Sequence, residues 1–137
     1  MANLTRLASS QIREIVLASL GRLVTSGKAP SEPLPDFRVE IPADKSHGDF
    51  AVNTAMVCAK AFKIAEMICD ELVLDGTYFE RTEIAGPGFI NFFLGRRWFS
   101  EIVDTVIKEG SEYGKTETGS GKKVLVEFVS ANPTGPM

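Results

Sequence analysis

Along Phe89-Ile90-Asn91-Phe92-Phe93-Leu94, strand alternation sets Phe89, Asn91 and Phe93 on one face and Ile90, Phe92 and Leu94 on the other. The second set is wholly apolar and belongs toward a core. The first places an amide between two aromatic rings. Exposed rings stack on unpaired bases, and an Asn amide reads a base edge. Ordinary hairpin packing with an edge Asn fits the same spacing, and spacing alone favours it. Arg96 and Arg97 follow closely. They suit phosphate contacts or, taken alone, a solvated helix start.

Catalytic constellations are scarce. His47 is the single histidine, so a Ser-His-Asp or Cys-His arrangement has to use it, and nothing marks a nucleophile elbow. The glycines of 110–121 invite a phosphate-loop reading. After Gly114 that pattern requires Gly-Lys-Ser/Thr at 119–121, whereas the sequence is Gly119-Ser120-Gly121. Cys58 and Cys69 are eleven positions apart without a His or Cys partner at ligand spacing, so no metal site is expected. They read as a reduced pair in a cytosolic protein rather than as a disulfide framework. A self-sufficient enzyme is not expected. Ser46-His47-Gly48-Asp49-Phe50 has two readings, a capped helix entry or a loop that presents His47 to a ligand, and the first is the plainer.

The elements that must position these residues follow from periodicity. Leu4, Leu7, Ile12, Ile15, Val16, Leu20 and Leu23 fit one face of a first helix over 3–26, with Asn3 or Thr5 as N-cap and Gly27 as its stop. The arginines, serines and leucines of Met1–Lys28 also resemble a targeting leader, but the apolar spacing fits a core helix better. Three prolines in 29–35 make an extended linker. Phe37–Ile41 alternates like a half-buried strand ended by Pro42. Ser46 and Asp49 have capping-box spacing, which predicts a second helix to about Ala61 with Ala51, Val52, Ala55, Met56 and Ala59 inward.

A further helix fits Ile64–Leu74, with Asp75-Gly76 as a turn. Strands follow over 78–85 and 89–94, joined by Gly86-Pro87-Gly88 as a tight antiparallel hairpin. Trp98, Phe99, Ile102, Val103, Val106 and Ile107 mark a last helix, stopped by Gly110. The Gly-rich stretch 110–123 reads as a surface linker. Val124–Val129 looks like a strand buried on both faces, as in parallel sheets, which need crossovers and neighbours. It has none here, which suggests the start of something larger that has been cut. The fold class is therefore α+β: a small antiparallel sheet packed with helices over 1–115, then a linker and truncated second domain over 116–137.

The chain has 137 residues, enough for one ordinary domain. Hydrophobic residues make up 44% and net charge is −3, which excludes a disordered chain and argues against a broad basic coat for duplex DNA. A local RNA contact remains compatible. No apolar run approaches the ~18–20 residues of a membrane span.

Three stretches combine into a resemblance: Ser46-His47-Gly48-Asp49-Phe50-Ala51, Ala85-Gly86-Pro87-Gly88-Phe89-Ile90-Asn91-Phe92 and Val126-Glu127-Phe128-Val129-Ser130-Ala131-Asn132-Pro133-Thr134-Gly135-Pro136. In this order and spacing they resemble the N-terminal part of bacterial arginyl-tRNA synthetases, over essentially the whole chain. The resemblance implies an N-terminal domain that touches the D-loop side of the tRNA elbow. Phe89 and Asn91 match the aromatic and amide positions that hold a D-loop base, with Arg96 and Arg97 nearby. Val124–Val129 resembles the first strand of the class I Rossmann-type catalytic domain.

Glu127, Ser130 and Asn132 match positions lining the arginine pocket. Ala131, Asn132, Pro133, Thr134, Gly135 and Pro136 match the start of the ATP signature. The implied parent is a cytoplasmic, ATP-dependent arginine–tRNA ligase, with ATP and magnesium, L-arginine and the arginine tRNA as its ligands, and neither membrane nor DNA. This chain ends before the signature histidines and by itself is expected to bind, not catalyse. Family members carry a few more residues where this chain has Lys60-Ala61-Phe62-Lys63-Ile64. The alternatives are a free-standing RNA-binding module and a protein-interaction domain that uses Phe89 and Phe93.

Overall fold

The computed structural model describes residues 4–29, 37–57, 61–117 and 119–126. Helix α1 spans Leu4–Thr25 and buries Leu4, Ala8, Ile12, Val16, Ser19, Leu20 and Leu23 at helical spacing. Leu7, expected inward, is 45% exposed. It lies one position off the buried stripe that continues through Leu4 and Ala8. Gly27 ends the helix at φ +69. Its N–H reaches Val24 O and that of Lys28 reaches Leu23 O, the paired closing bonds of a left-handed cap.

Helix α2, Ala61–Glu71, packs on α1. The contact is close because Ser19 is small, and its buried hydroxyl donates to Ile68 O at 3.0 Å. At the same end, Arg22 reaches the Glu71 carboxylate and main-chain oxygen.

Four strands, β1 (Val39–Glu40), β2 (Phe50–Val52), β3 (Phe79–Ala85) and β4 (Phe89–Leu94), form one antiparallel sheet in the order β1-β2-β4-β3. The helix-facing side presents Phe50, Val52, Phe79, Ile90 and Phe92, all buried. Phe79 meets Phe50 and Phe92 edge-on, at centroid distances of 5.9 and 5.4 Å. Each such pair adds ~0.5–1.5 kcal/mol beyond the area it buries.

The second helix predicted from Ser46 does not form. Lys45–His47 is one 3-10 turn, Phe50–Val52 is strand β2, and Thr54–Val57 is another 3-10 turn. Phe50, Ala51 and Val52 are buried on both faces of the sheet between β1 and β4. That pairing overrides the local helical pattern, as tertiary contacts commonly do. The capping box dissolves with it: Asp44, not Ser46, caps the turn by accepting the Ser46 N–H at 2.9 Å.

Helix α3, Arg96–Glu109, follows β4 through Gly95. Trp98 is buried against Tyr78, and Ile102 packs on the core. Phe99, Val103, Val106 and Ile107 remain 57%, 56%, 39% and 75% exposed, so four of the six residues of the predicted apolar face are uncovered among the described residues. Of the last predicted strand, Val124, Leu125 and Val126 are exposed and outside any strand. Its remainder, the Pro-rich linker from Pro30, Asn3 and Cys58 lie outside the described residues.

Candidate nucleic-acid interface

The β3–β4 hairpin forms as its sequence predicts, with Ala85 opposite Phe89 and a Gly88 N–H to Ala85 O bond closing the turn. Alternation holds along β4: Ile90 and Phe92 are buried in the core while Phe89, Asn91 and Phe93 face the other way. That second face is less open than expected. Asn91 is 4% exposed, yet its side-chain amide makes no hydrogen bond to a described residue. Its polar atoms open instead into a groove of about 320 Å³. Ala51 and Asn91 floor the groove, Pro87 and Phe89 bring the hairpin to it, and Glu40 and His47 come from β1 and the 45–47 turn. Buried amides are ordinarily satisfied within a fold or by water, so Asn91 keeps its donor and acceptor on the groove side.

The turn carrying His47 is tied to β4 at two points. The Asp49 N–H donates to Phe92 O and the Asp49 carboxylate accepts the Leu94 N–H, each at 2.9 Å. Gly48 sits at φ +85, and a Cβ there would lie 2.9 Å from Phe92 O. Only glycine fits this approach without strain. The main-chain bond from Ser46 holds the Asp44 carboxyl below the usual aspartate range, with the Ser46 hydroxyl adding to it.

Phe93 does not share the groove. The Arg81 guanidinium stacks on its ring at 3.4 Å from the centroid and pairs with Glu83. Phe93 is therefore covered within the fold, whereas Phe99, Val103, Val106 and Ile107 on α3 are exposed. Arg97 is likewise engaged. It donates to Gly76 O at 2.7 Å, lies 3.9 Å from the Glu101 carboxylate and faces the Tyr78 ring. Arg96 is exposed and has no ion pair among the described residues. Neither arginine lines the groove.

A larger hollow of about 860 Å³ lies between α1, α3 and the segment after it, lined by Leu4, Trp98, Ile102, Glu109 and Tyr113. It contains none of the residues expected to meet RNA. Glu127, Ser130 and Asn132, with Ala131 and Pro133–Pro136, lie outside the described residues. Cys69 is half-buried, and burial pushes its thiol pKa up, which suits an inert side chain. Among the described residues no group of three His, Cys, Asp or Glu side chains is placed to hold a metal ion.

Glu40 and Ala51 were not anticipated as site residues. Their signal was the β1–β2–β4 register, hidden while 50–52 read as helix.

The family profile described as "Arginyl tRNA synthetase N terminal domain" matches residues 10–94. The chain belongs to the arginyl-tRNA synthetase family. The arginine–tRNA ligase of Acetivibrio thermocellus is 43% identical over 142 residues, covering 100% of this chain and 25% of that protein. That of Caldanaerobacter subterraneus is 45% identical with the same coverage. The chain thus spans about a quarter of the length of the arginyl-tRNA synthetases it matches. The crystal structure of arginyl-tRNA synthetase from Plasmodium falciparum superposes with a TM-score of 0.51 at 23% identity, covering 68% of this chain and 17% of that one. At that identity it supports the α+β fold alone. No helix among the described residues is long and apolar enough to cross a membrane.

Proposed function

We propose that this chain is the tRNA-recognition part of an ATP-dependent arginine–tRNA ligase, and that its groove holds an unpaired D-loop base of the arginine tRNA. The observation that carries the reading is the Asn91 amide, nearly buried yet without a hydrogen-bond partner among the described residues and open to a groove beside Phe89. Phe89 supplies a face for stacking and Asn91 a donor and an acceptor for the base edge. The acidic overall balance leaves phosphate contacts to a few side chains such as Arg96, and it does not favour DNA.

The parent reaction joins arginine to its tRNA through arginyl-adenylate, with ATP as the co-substrate and magnesium accompanying it. Glu127, Ser130 and Asn132 would face arginine, and the 131–136 segment would begin the ATP site. The boundary between the recognition domain and the catalytic start falls near residue 115. The chain by itself binds and does not catalyse; measurable ATP–pyrophosphate exchange by the 137-residue chain with arginine and tRNA would overturn this.

In the full-length enzyme, Phe89→Ala and Asn91→Ala raise the KM for tRNA and leave adenylate formation intact. Stacking is worth ~1–3 kcal/mol per base, so the rise is about tenfold for Phe89→Ala. Unchanged tRNA KM values in both variants would refute the assignment.

A further inference from the structure

Helix α3 carries two apolar faces. At ~100° per residue, Trp98 and Ile102 share the side that packs on the core. Phe99, Val103, Val106 and Ile107 form a second stripe, ~100° wide and centred ~110° further round the helix. A helix with one partner keeps a single stripe of that width and turns polar residues to water. None of the four side chains of the second stripe packs on the core, and none carries a hydrogen-bonding group. Val124, Leu125 and Val126 form another uncovered apolar stretch.

The area of the stripe decides what kind of partner it fits. Two free proteins that associate stably bury ~800 Å² each. A whole aromatic side chain buries only ~150–250 Å². Four side chains, one of them aromatic and all partly covered already, fall short of what a second copy of this chain or an independent protein needs. A part of the same polypeptide needs far less, because the covalent link supplies an effective concentration in the ~mM range. An RNA partner needs cations along its track, and these four positions supply none. The family profile is that of an N-terminal domain, and the chain matches 25% of each relative, which leaves the other three-quarters of those proteins beyond it.

We propose that this stripe is the seat of the catalytic part of the parent ligase: an apolar surface of the polypeptide that follows residue 137 packs on Phe99, Val103, Val106 and Ile107. The inference rests on the family membership and not on the base-binding reading. The helix is well coupled to the sheet. The Gly95 N–H donates to Tyr78 O at 2.8 Å, and Trp98 meets the Tyr78 ring edge-on at 5.2 Å, so the start of α3 is held against the start of β3. Seating α3 therefore fixes the direction in which the β3–β4 hairpin faces relative to the catalytic part.

The test is hydroxyl-radical footprinting of the full-length ligase, free of tRNA, beside the 137-residue chain at the same concentration. Phe99 and Ile107 are labelled in the 137-residue chain. In the ligase their labelling falls to that of the buried Phe92. Equal labelling of Phe99 and Ile107 in the two proteins would overturn the proposal. So would protection that appears only after tRNA is added, or only at concentrations where the ligase sediments as a dimer. A double variant, Val103→Glu with Ile107→Glu, leaves the thermal melt of the 137-residue chain unaltered, because both positions face water there. In the ligase it restores Phe99 labelling to the level of the 137-residue chain, whereas Ile107→Leu does not. If Phe99 stays protected in the double variant, other surfaces hold the contact and the stripe loses its role.

Discussion

The Asp49 carboxylate accepts the Leu94 main-chain N–H at 2.9 Å, joining the turn before β2 to the end of β4, 45 residues later in the chain. A bond to an ionised acceptor contributes ~1.5–3 kcal/mol, and removing the acceptor strands a half-buried donor. Asp49→Ala is expected to destabilise the chain by about 2 kcal/mol and Asp49→Asn, which keeps an acceptor oxygen, by less than half of that. Urea denaturation of both variants checks this; equal losses would mean that the carboxylate does not act through Leu94.

Gly48 and Gly76 provide a matched pair. Both have positive φ, +85 and +78, but a Cβ at Gly48 would lie 2.9 Å from Phe92 O whereas Gly76 has open space around it. The left-handed conformation costs a non-glycine residue ~1–2 kcal/mol at either site. Gly48→Ala adds a collision with main chain that cannot yield easily. It should therefore lower stability by at least about 1 kcal/mol more than Gly76→Ala. Thermal melts of the two variants that coincide would refute the close approach.

The Tyr78 hydroxyl donates to the Glu101 carboxylate at 2.8 Å, and its ring packs edge-on against Trp98. Burial, followed by this bond and the Glu101 charge, raises the Tyr78 pKa. In the folded state the proton is held more tightly than in the unfolded chain. The contribution is therefore complete below the unfolded tyrosine pKa of ~10 and is lost as pH rises through the raised folded value. Tyr78→Phe should cost about 1 kcal/mol at neutral pH and make the alkaline loss of stability shallower. Stability measured from pH 8 to 11 decides this, and parallel alkaline limbs in the two proteins would count against it.

Local chemistry made much of this fold legible. The β3–β4 hairpin was readable because Gly86-Pro87-Gly88 separates two alternating runs, and α1 because its apolar spacing ends at Gly27. The misread stretch was 45–57. Ala51, Val52, Ala55 and Met56 suit a helix locally, and only pairing with β4 makes Phe50–Val52 a strand. The same error hid half of the groove, since Glu40 and Ala51 reach Asn91 only through that pairing. On α3 the spacing identified the helix but not which apolar residues are covered: Trp98 is buried while Ile107 is not. Periodicity reports a face, and burial depends on whatever packs there.

The two arginines after β4 should separate experimentally. Arg97 is committed to Gly76 O and the Tyr78 ring, so Arg97→Ala should lower stability by about 1 kcal/mol and change tRNA binding little. Arg96 is exposed and has no ion pair among the described residues, so Arg96→Ala should leave stability within about 0.5 kcal/mol. If Arg96 meets a tRNA phosphate in the full-length enzyme, its loss weakens binding equally across loop-base variants. It also lowers the slope of log affinity against log salt by ~0.7–0.9. Phe89→Ala removes stacking rather than charge and should leave that slope unchanged. A salt slope for Arg96→Ala equal to that of the unaltered enzyme would remove Arg96 from the interface.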